Sequence, residues 1–191
     1  MVTYLTDRVG EEMLNTLIQA VNQSESSPEK LIVYLNSEGG ATVIGEVIQD
    51  LINQNAGNIH LIACGDICSA AFEIFFKAKC ERSMLPGTEG MCHKTTIQIE
   101  HNYDHAPKKN QKRLIDWMKT HRKPVQESLC KELGFTDKEL KLFRAGEDVE
   151  FTHQRLRELF DYQNAQRSKE NQVTEDTQVN EDNENVQSLS S

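Results

Sequence analysis

Two short apolar runs, each leading through a turn into an apolar helical pattern, constrain the fold of this chain most strongly. Residues 31–35 read Leu-Ile-Val-Tyr-Leu, and residues 59–64 read Ile-His-Leu-Ile-Ala-Cys. Runs of this length with β-branched residues are typical of strands buried in a parallel sheet. Between them, apolar side chains recur at helical spacing from Val43 to Ile52, which predicts a connecting helix. Strand, helix and strand in this order predict a layered α/β fold whose strands run largely parallel.

Further elements surround this unit. Apolar residues at helical spacing predict one helix over 9–22 before the first run and another over 69–79 after the second. Residues 84–99 contain short apolar pairs separated by proline and glycine, which indicates short strands and turns.

The second half of the chain is predicted to be mainly helical. A charged helix is expected over 107–133, with a kink at Pro124, because a proline ring clashes with the turn that precedes it. Thr136 begins a capping-box pattern that predicts one more short helix. Thr152 is expected to cap a last helix that runs to Tyr162.

The end of the chain differs from the body in composition. Residues 164–191 contain no aromatic residue, glycine, proline or cysteine, and they carry six acidic side chains against two basic ones. Such a segment buries too little apolar surface to offset the entropy lost on ordering, so we predict a disordered acidic tail. Residues 1–163 are enough for one domain with a substantial core.

Composition excludes several classes of protein. The net charge of −9 argues against a protein that binds nucleic acid by neutralising phosphates. The sequence has no run of 18 apolar residues and no signal-peptide pattern at its start, so we expect neither a membrane span nor secretion. Five cysteines without framework spacing indicate reduced thiols and a cytoplasmic location.

A glycine pair follows the first apolar run. Gly39 and Gly40 stand between that predicted strand and the helix that begins near Val43. Without side chains, the backbone N–H groups of such a turn can closely approach an anion or a developing oxyanion. The pair is also compatible with a simple tight turn, and it lacks the third glycine of a dinucleotide-binding loop.

Ser69 and His93 are the side chains best placed for chemistry. Ser69 precedes an apolar helix, where it is either the helix N-cap or a nucleophile at the positive end of the helix dipole. Its surroundings are not the G-x-S-x-G of an α/β-hydrolase. His93 follows 24 residues later, and alone it is compatible with a structural histidine. A glycine turn, a serine, a histidine and a later acid together form the set that acyl transfer uses.

Other clusters carry weaker signals for a metal or a partner. His101 and His105 could bind a metal, but no further ligands complete the set, so a polar loop is favoured. Cys64 and Cys68 lack a second cysteine pair and read as small buried residues. The basic run in 108–113 is interpreted as a solvated helix face, or otherwise as a docking surface for an acidic partner or for the chain's own tail. We therefore predict no metal and no cofactor.

Three motifs in one order resemble the proteolytic subunit of the Clp protease. Residues 35–40, Leu-Asn-Ser-Glu-Gly-Gly, are similar to the I-N-S-P-G-G of that family, and residues 65–71 resemble its G-x-A-x-S nucleophile segment. Residues 85–87 followed by 91–93, Met-Cys-His, are similar to its A-L-P and M-x-H run. The resemblance covers about 4–162 and implies a crotonase-like layered α/β fold with a projecting handle helix.

This resemblance implies a serine endopeptidase that works through an acyl-enzyme. Carried over by position, Ser69 is the nucleophile and His93 is the general base. The backbone N–H groups of Gly40 and Ala70 are then the oxyanion hole. The resemblance further implies a protein or peptide substrate and a homo-oligomeric ring, with the handle helix interlocking facing rings.

The acid of the implied triad falls in residues 146–152, Gly-Glu-Asp-Val-Glu-Phe-Thr. Alignment on Phe151 puts the family's aspartate at Val149, one residue after Asp148. A loop absorbs such a slip easily, so Asp148 is predicted to be the carboxylate that orients the histidine. The runner-up is Glu150, and the less favoured alternatives are Glu147 and Asp161.

The sequence also departs from the family pattern. Glu38 replaces the proline before the glycine pair, which is expected to alter the substrate groove. Lys94 and Thr95 stand where the family has glutamine and proline, which is expected to change a subsite. The chain starts close to the family's first core strand, at about Tyr4. We therefore expect no N-terminal axial loop, which argues against dependence on an AAA+ unfoldase.

Two other functions are compatible with these residues. A non-proteolytic crotonase-fold protein, either a thioester-binding enzyme or a scaffold subunit, would use the same backbone oxyanion hole at Gly40. It would not need both Ser69 and His93. A processing protease that works without an unfoldase, such as a viral head-maturation enzyme, would keep the peptidase chemistry and have a narrower substrate.

Overall fold

A computed structural model describes residues 1–95 and 108–169 of the chain. The strands are β1 (Val2–Leu5), β2 (Arg8–Val9), β3 (Leu31–Ser37), β4 (Gly39–Gly40), β5 (Ile59–Cys68), β6 (Glu81–Met84), β7 (Glu89–Cys92) and β8 (Val149–Phe151). The helices are α1 (Glu11–Ser24), α2 (Thr42–Gln54), α3 (Ala70–Lys77), α4 (Lys108–Trp117), a π-helix (Met118–Arg122), α5 (Lys123–Glu132), α6 (Asp137–Ala145) and α7 (153–169). Across these residues, no helix is both long and apolar enough to cross a membrane.

The strands form one large sheet and one small one. The large sheet has the order β1-β3-β5-β7-β8, and β6 pairs with the first half of β5. Its pairs are parallel except β7 with β8, which is antiparallel. The two-residue strands β2 and β4 form a separate parallel pair. This architecture confirms the predicted layered α/β fold, whereas sequence periodicity had not indicated β2, β4 or β8.

The core lies on one face of the large sheet, against α1 and α3. The core-facing residues of β3 are fully buried, namely Leu31, Val33 and Leu35. The opposite face of β3 is only half covered. There Tyr34 stacks on Tyr4 of β1 with ring centroids 5.2 Å apart, and Tyr4 itself is 62% exposed. The predicted burial of this strand therefore holds for its core face. The side chain of Tyr34 alternates with the buried residues, as in a half-covered strand.

The long helix predicted over 107–133 is two α-helices joined by the π-helix, and residue 107 lies outside the described residues. Pro124 is in the first turn of α5. A proline there has no N–H for the carbonyl of Thr120 and its ring crowds that carbonyl, so the chain widens locally into a π-turn. The expected irregularity is present as a π-helix before the proline. Leu129 of α5 is buried in the core, while Trp117 of α4 is 45% exposed.

The last helices begin where the sequence predicts. Thr136 accepts a hydrogen bond from the N–H of Glu139, and Glu139 accepts one from the N–H of Thr136, so the capping box is confirmed. Thr152 Oγ1 accepts a hydrogen bond from the N–H of Arg155 in the first turn of α7.

The predicted tail begins six residues too early, because residues 164–169 continue α7. Asn164 accepts a hydrogen bond from Arg82 at 2.9 Å, and Arg167 donates to two carbonyls at the C-terminal end of α3 at 2.9 Å each. The segment is held by polar side chains that bind the free carbonyls at the end of α3. A prediction based on how few apolar residues a segment contains does not detect such contacts. The rest of the predicted tail, 170–191, lies outside the described residues.

Candidate active site

Ser69 connects β5 to α3 in a conformation that side chains rarely adopt. Its backbone has φ of 53° and ψ of −115°, a region that is strained for residues with a Cβ. The N–H of Ser69 donates to the carbonyl of Met91 in β7 at 2.8 Å, which ties the turn to the neighbouring strand. The side chain of Ser69 makes no capping hydrogen bond to α3, so the N-cap interpretation is wrong. The turn presents the hydroxyl to another partner.

That partner is His93. The parallel pairing of β5 with β7 aligns Cys68 with Met91, so the residues that follow these two strands emerge side by side. Ser69 Oγ lies 2.8 Å from Nε2 of His93. The sheet therefore brings together two side chains that are 24 residues apart in the sequence.

Asp148 completes a chain of hydrogen bonds. Its Oδ1 lies 3.0 Å from Nδ1 of His93. The antiparallel register pairs Cys92 with Val149, so one step further along each strand Asp148 lies across from His93. Val149 is buried on the core side, and the alternation of a strand points its neighbours the other way. A carboxylate at 149 would face the core, so the slip of one residue relative to the family pattern has a direct structural reason.

The three groups define the protonation of the histidine. A carboxylate only accepts hydrogen bonds, so the hydrogen is on Nδ1 of His93, and this N–H donates a hydrogen bond to Asp148. In the neutral ring Nε2 is then an acceptor, and the hydroxyl of Ser69 donates to it. This arrangement suits removal of the hydroxyl proton by the histidine.

The glycine pair packs directly against the turn at Ser69. Gly39 has φ of 96°, and an added Cβ there would lie 2.7 Å from the Cβ of Ser69 and 2.7 Å from the carbonyl oxygen of Cys68. The N–H of Gly39 donates to Oγ of Ser37 at 3.1 Å. Gly40, the next residue, lines the same cleft as the serine. The predicted oxyanion donors are thus on two adjoining segments, since Ala70 is the first residue of α3, and their role stays a prediction.

Replacing Gly39 with alanine is expected to disable the site. The new Cβ would push on Ser69 and would also strain a backbone at positive φ. We expect a loss of about 1–3 kcal/mol in the free energy of unfolding and a fall of roughly 100-fold in hydrolysis rate, the scale of a 1 Å misplacement. Gly57→Ala is the matched control, because an added Cβ there meets no atom within 4 Å. Equal rates for the two variants in a protein-cleavage assay would contradict the packing described above.

A cleft of about 1100 Å³ opens in front of the serine. Its volume exceeds what a single small-molecule ligand usually fills, so it has room for a stretch of chain. Besides Ser69, His93 and Gly40, charged and polar side chains line it, among them Asp7, Arg8, Glu38, Asp66 and Thr95. Glu38 is thus in the groove, where its replacement of proline was expected to act.

Cys68, next to Ser69, is unsuited to act as a nucleophile. Burial, followed by the negative charges of Asp66 and Glu38, raises the pKa of the Cys68 thiol to about 11. At neutral pH the sulfur therefore stays protonated, and the thiolate is the reactive form. The hydroxyl of Ser69 is therefore the better candidate for a nucleophile in this site.

Lys94 and Thr95, the two residues after His93 that depart from the family pattern, have different surroundings. Lys94 donates to the carbonyl of Arg144, and its ammonium lies over the ring of Phe143, so it faces α6. Thr95 lines the cleft, as a subsite residue would. The histidines considered for a metal, at 101 and 105, lie outside the described residues.

Three polar residues that were not predicted from the sequence form a cluster next to Thr95 of the cleft. Glu73, Arg122 and Gln126 are buried and hydrogen-bond to one another. A signal for the first of them was present, because Glu73 is the one acid in the apolar run 70–76. Its partners are about 50 residues away, and no local pattern connects them.

Most of the chain matches one known protein family. The family model described as Clp protease matches residues 2–140. This chain belongs to the Clp protease family. The family is one of peptidases, which are hydrolases that carry out proteolysis, and the fold agrees with the layered α/β fold that the resemblance implied. The match includes Ser69 and His93 and ends before Asp148, so it does not bear on the acid, and the placement of Asp148 beside His93 comes from the geometry of this Clp protease family member.

Proposed function

We propose that this Clp protease family member is a serine endopeptidase of the proteolytic-subunit type. The observation that carries the proposal is the hydrogen-bond chain from Ser69 Oγ to His93 and on to Asp148, at 2.8 and 3.0 Å. A serine, a histidine and a carboxylate in this geometry are recognised by their roles, whatever their order in the sequence.

In the first half of the proposed reaction, Ser69 Oγ attacks the carbonyl carbon of a peptide bond, and Nε2 of His93 takes the hydroxyl proton. The C–O bond forms as the carbonyl π bond breaks, which leaves a tetrahedral intermediate with a negatively charged oxygen. Asp148 stabilises the imidazolium that has formed. We assign the oxyanion to the N–H groups of Gly40 and Ala70, because both are on segments that meet at the serine.

In the second half, the C–N bond breaks and the leaving amine takes the proton from His93. The acyl group stays on Ser69 as an ester. Water then attacks the carbonyl carbon of this ester, with His93 again removing a proton. The C–O bond to Ser69 breaks, His93 returns the proton to Oγ, and the acid product leaves. The cleft at Ser69 has room for residues on both sides of the cleaved bond, which favours an endopeptidase.

We also propose that the protein acts as a homo-oligomer, as the family resemblance implied. The exposed Tyr4, which stacks on the half-buried Tyr34, and the exposed Trp117 on α4 are apolar surfaces that a second copy would cover. We expect light scattering at micromolar concentration to give a mass several times the 21.8 kDa of one chain. A mass of one chain would contradict ring assembly.

The proposed function is tested by offering the full-length protein two kinds of substrate. We expect cleavage of fluorescein-labelled casein, an unfolded protein that needs no unfoldase, and no hydrolysis of acetyl-CoA. Thioester hydrolysis without casein cleavage would favour the crotonase-type enzyme instead. Cleavage at one or two sites in a broad set of peptides would favour a processing protease.

A further inference from the structure

A buried network of charged and polar side chains lies next to Thr95 of the cleft. Its centre is Arg122, which is 5% exposed. Nη2 of Arg122 donates to both carboxylate oxygens of Glu73 at 2.8 Å, and Nη1 donates to Glu46. Lys77 donates to Oε2 of Glu73, one of these two oxygens, at 2.7 Å.

This network is an unusual choice for a helix–helix contact. Glu73 is 8% exposed and lies among the apolar residues of α3. Burying a charged pair is costly, and apolar side chains of similar volume stabilise such a contact as well or better. A purely structural role therefore explains the network poorly. Its hydrogen bonds lead instead toward the two segments that carry the serine and the histidine.

On the serine side, the connection runs through α3. The N–H of Glu73 donates to the carbonyl of Ser69 at 3.2 Å, in the first turn of the helix. The contacts of Arg122 and Lys77 hold the carboxylate of Glu73, and through α3 they restrain the turn that sets the orientation of the serine.

On the histidine side, the connection runs through Thr95, two residues after His93. Gln126 accepts a hydrogen bond from the N–H of Thr95 at 3.1 Å and donates one to its hydroxyl at 2.8 Å. Arg122 Nε donates to the same hydroxyl at 3.3 Å. Gln126 also donates to Glu73 at 2.8 Å, which joins the two sides. The sheet holds His93 from the preceding residue, and this network holds it from the following ones.

The π-helix explains how two residues of one segment reach these partners. Arg122 is its last residue, and Gln126 follows four residues later in α5, so the two side chains lie on one helical face. A π-turn changes the direction in which later side chains project and is often found at functional sites.

We infer that Arg122 and Gln126 are positioning residues, which hold the ring of His93 at hydrogen-bonding distance from Ser69 through their contacts with Thr95 and Glu73. The inference rests on the proposed peptidase function. It predicts that loosening the network slows the chemical step and leaves binding in the cleft unchanged.

The test measures how a fluorophosphonate probe modifies the full-length protein, with the rate of covalent bond formation separated from the initial binding constant. Gln126→Met keeps the volume of the side chain and removes its hydrogen bonds to Thr95. We expect the bond-forming rate to fall roughly 10- to 100-fold, with the binding constant unchanged. Glu127→Gln is the matched control, because Glu127 is the next residue of α5 and pairs with the exposed Arg144. We expect this variant to behave as the wild type.

A second pair of variants keeps the test decisive if Gln126→Met does not fold. Thr95→Val replaces the hydroxyl with a methyl group of similar size, and Thr95→Ser retains the hydroxyl. We expect Thr95→Val to be slow and Thr95→Ser to be close to the wild type, with similar melting temperatures. A wild-type rate in Gln126→Met or Thr95→Val overturns the inference, as does a change confined to the binding constant. A wild-type protein that the probe does not modify overturns the proposed function and the inference with it.

Discussion

Replacement of Ser69 by alanine is expected to lower the rate of casein cleavage roughly 10⁶-fold, the scale seen when the nucleophile of a serine triad is removed. The physical reason is that, among the described residues, Ser69 presents the hydroxyl that lies 2.8 Å from Nε2 of His93, and alanine has no group that could form the acyl-enzyme. The Cys68 thiol next to it is held protonated by a pKa raised to about 11. Release of fluorescent peptides from labelled casein measures the effect, and we expect an unchanged melting temperature.

The chain provides a matched control for this variant. Ser83 Oγ lies 2.9 Å from Nε2 of His60, so it forms a second serine–histidine pair, on the far side of the sheet from the core. This pair does not line the cleft. We expect Ser83→Ala to cleave casein at the wild-type rate. Retained activity in Ser69→Ala, or an equal loss in Ser83→Ala, would contradict the assignment of the nucleophile.

The second large effect is expected at Asp148. Changing it to asparagine removes the carboxylate that accepts from Nδ1 of His93 and favours the wrong tautomer of the ring. We expect turnover to fall roughly 10⁴-fold, the scale for neutralising a triad acid. Folding should be unaffected, because the Asp148 side chain is 60% exposed.

Glu150 is the control for this position, since it was the runner-up for the same role. Glu150 pairs with Met91 of β7, and Met91 is two residues before His93. The carboxylate of Glu150 is therefore displaced from the ring of His93 by two residues along the strand. We expect Glu150→Gln to retain near-native turnover. If Glu150→Gln lost turnover and Asp148→Asn kept it, the assignment of Asp148 would be wrong.

Local patterns predicted the elements well where a single segment decides its own structure. The capping box at Thr136 depends on two side chains three residues apart, and it is present. The run at 31–35 predicted β3, which is two residues longer than the run itself. Local patterns left structural roles open for both Ser69 and His93, and the family resemblance added their pairing as nucleophile and base. The structure brings these two within 2.8 Å.

Features that depend on contacts between distant segments were not predicted in detail. The neighbours of Asp148 are set by the register of β7 with β8, which no property of residues 146–152 reveals. The three-residue strand β8 is too short to give an alternating pattern. Arg122, the partner of Glu73, lies 49 residues away in the sequence. It is in the π-helix, where the sequence pattern predicted a kinked α-helix. Likewise, the composition of 164–191 placed Arg167 in a disordered tail, whereas its guanidinium binds carbonyls at the end of α3.

The central claim is that Ser69 is an activated nucleophile, and one measurement tests it most directly. The full-length wild type and Ser69→Ala are treated with a fluorophosphonate probe, and the modified residue is located by peptide mass spectrometry. The account predicts a single adduct on Ser69 that is absent from Ser69→Ala. An adduct on another residue, or no adduct on the wild type, would contradict it.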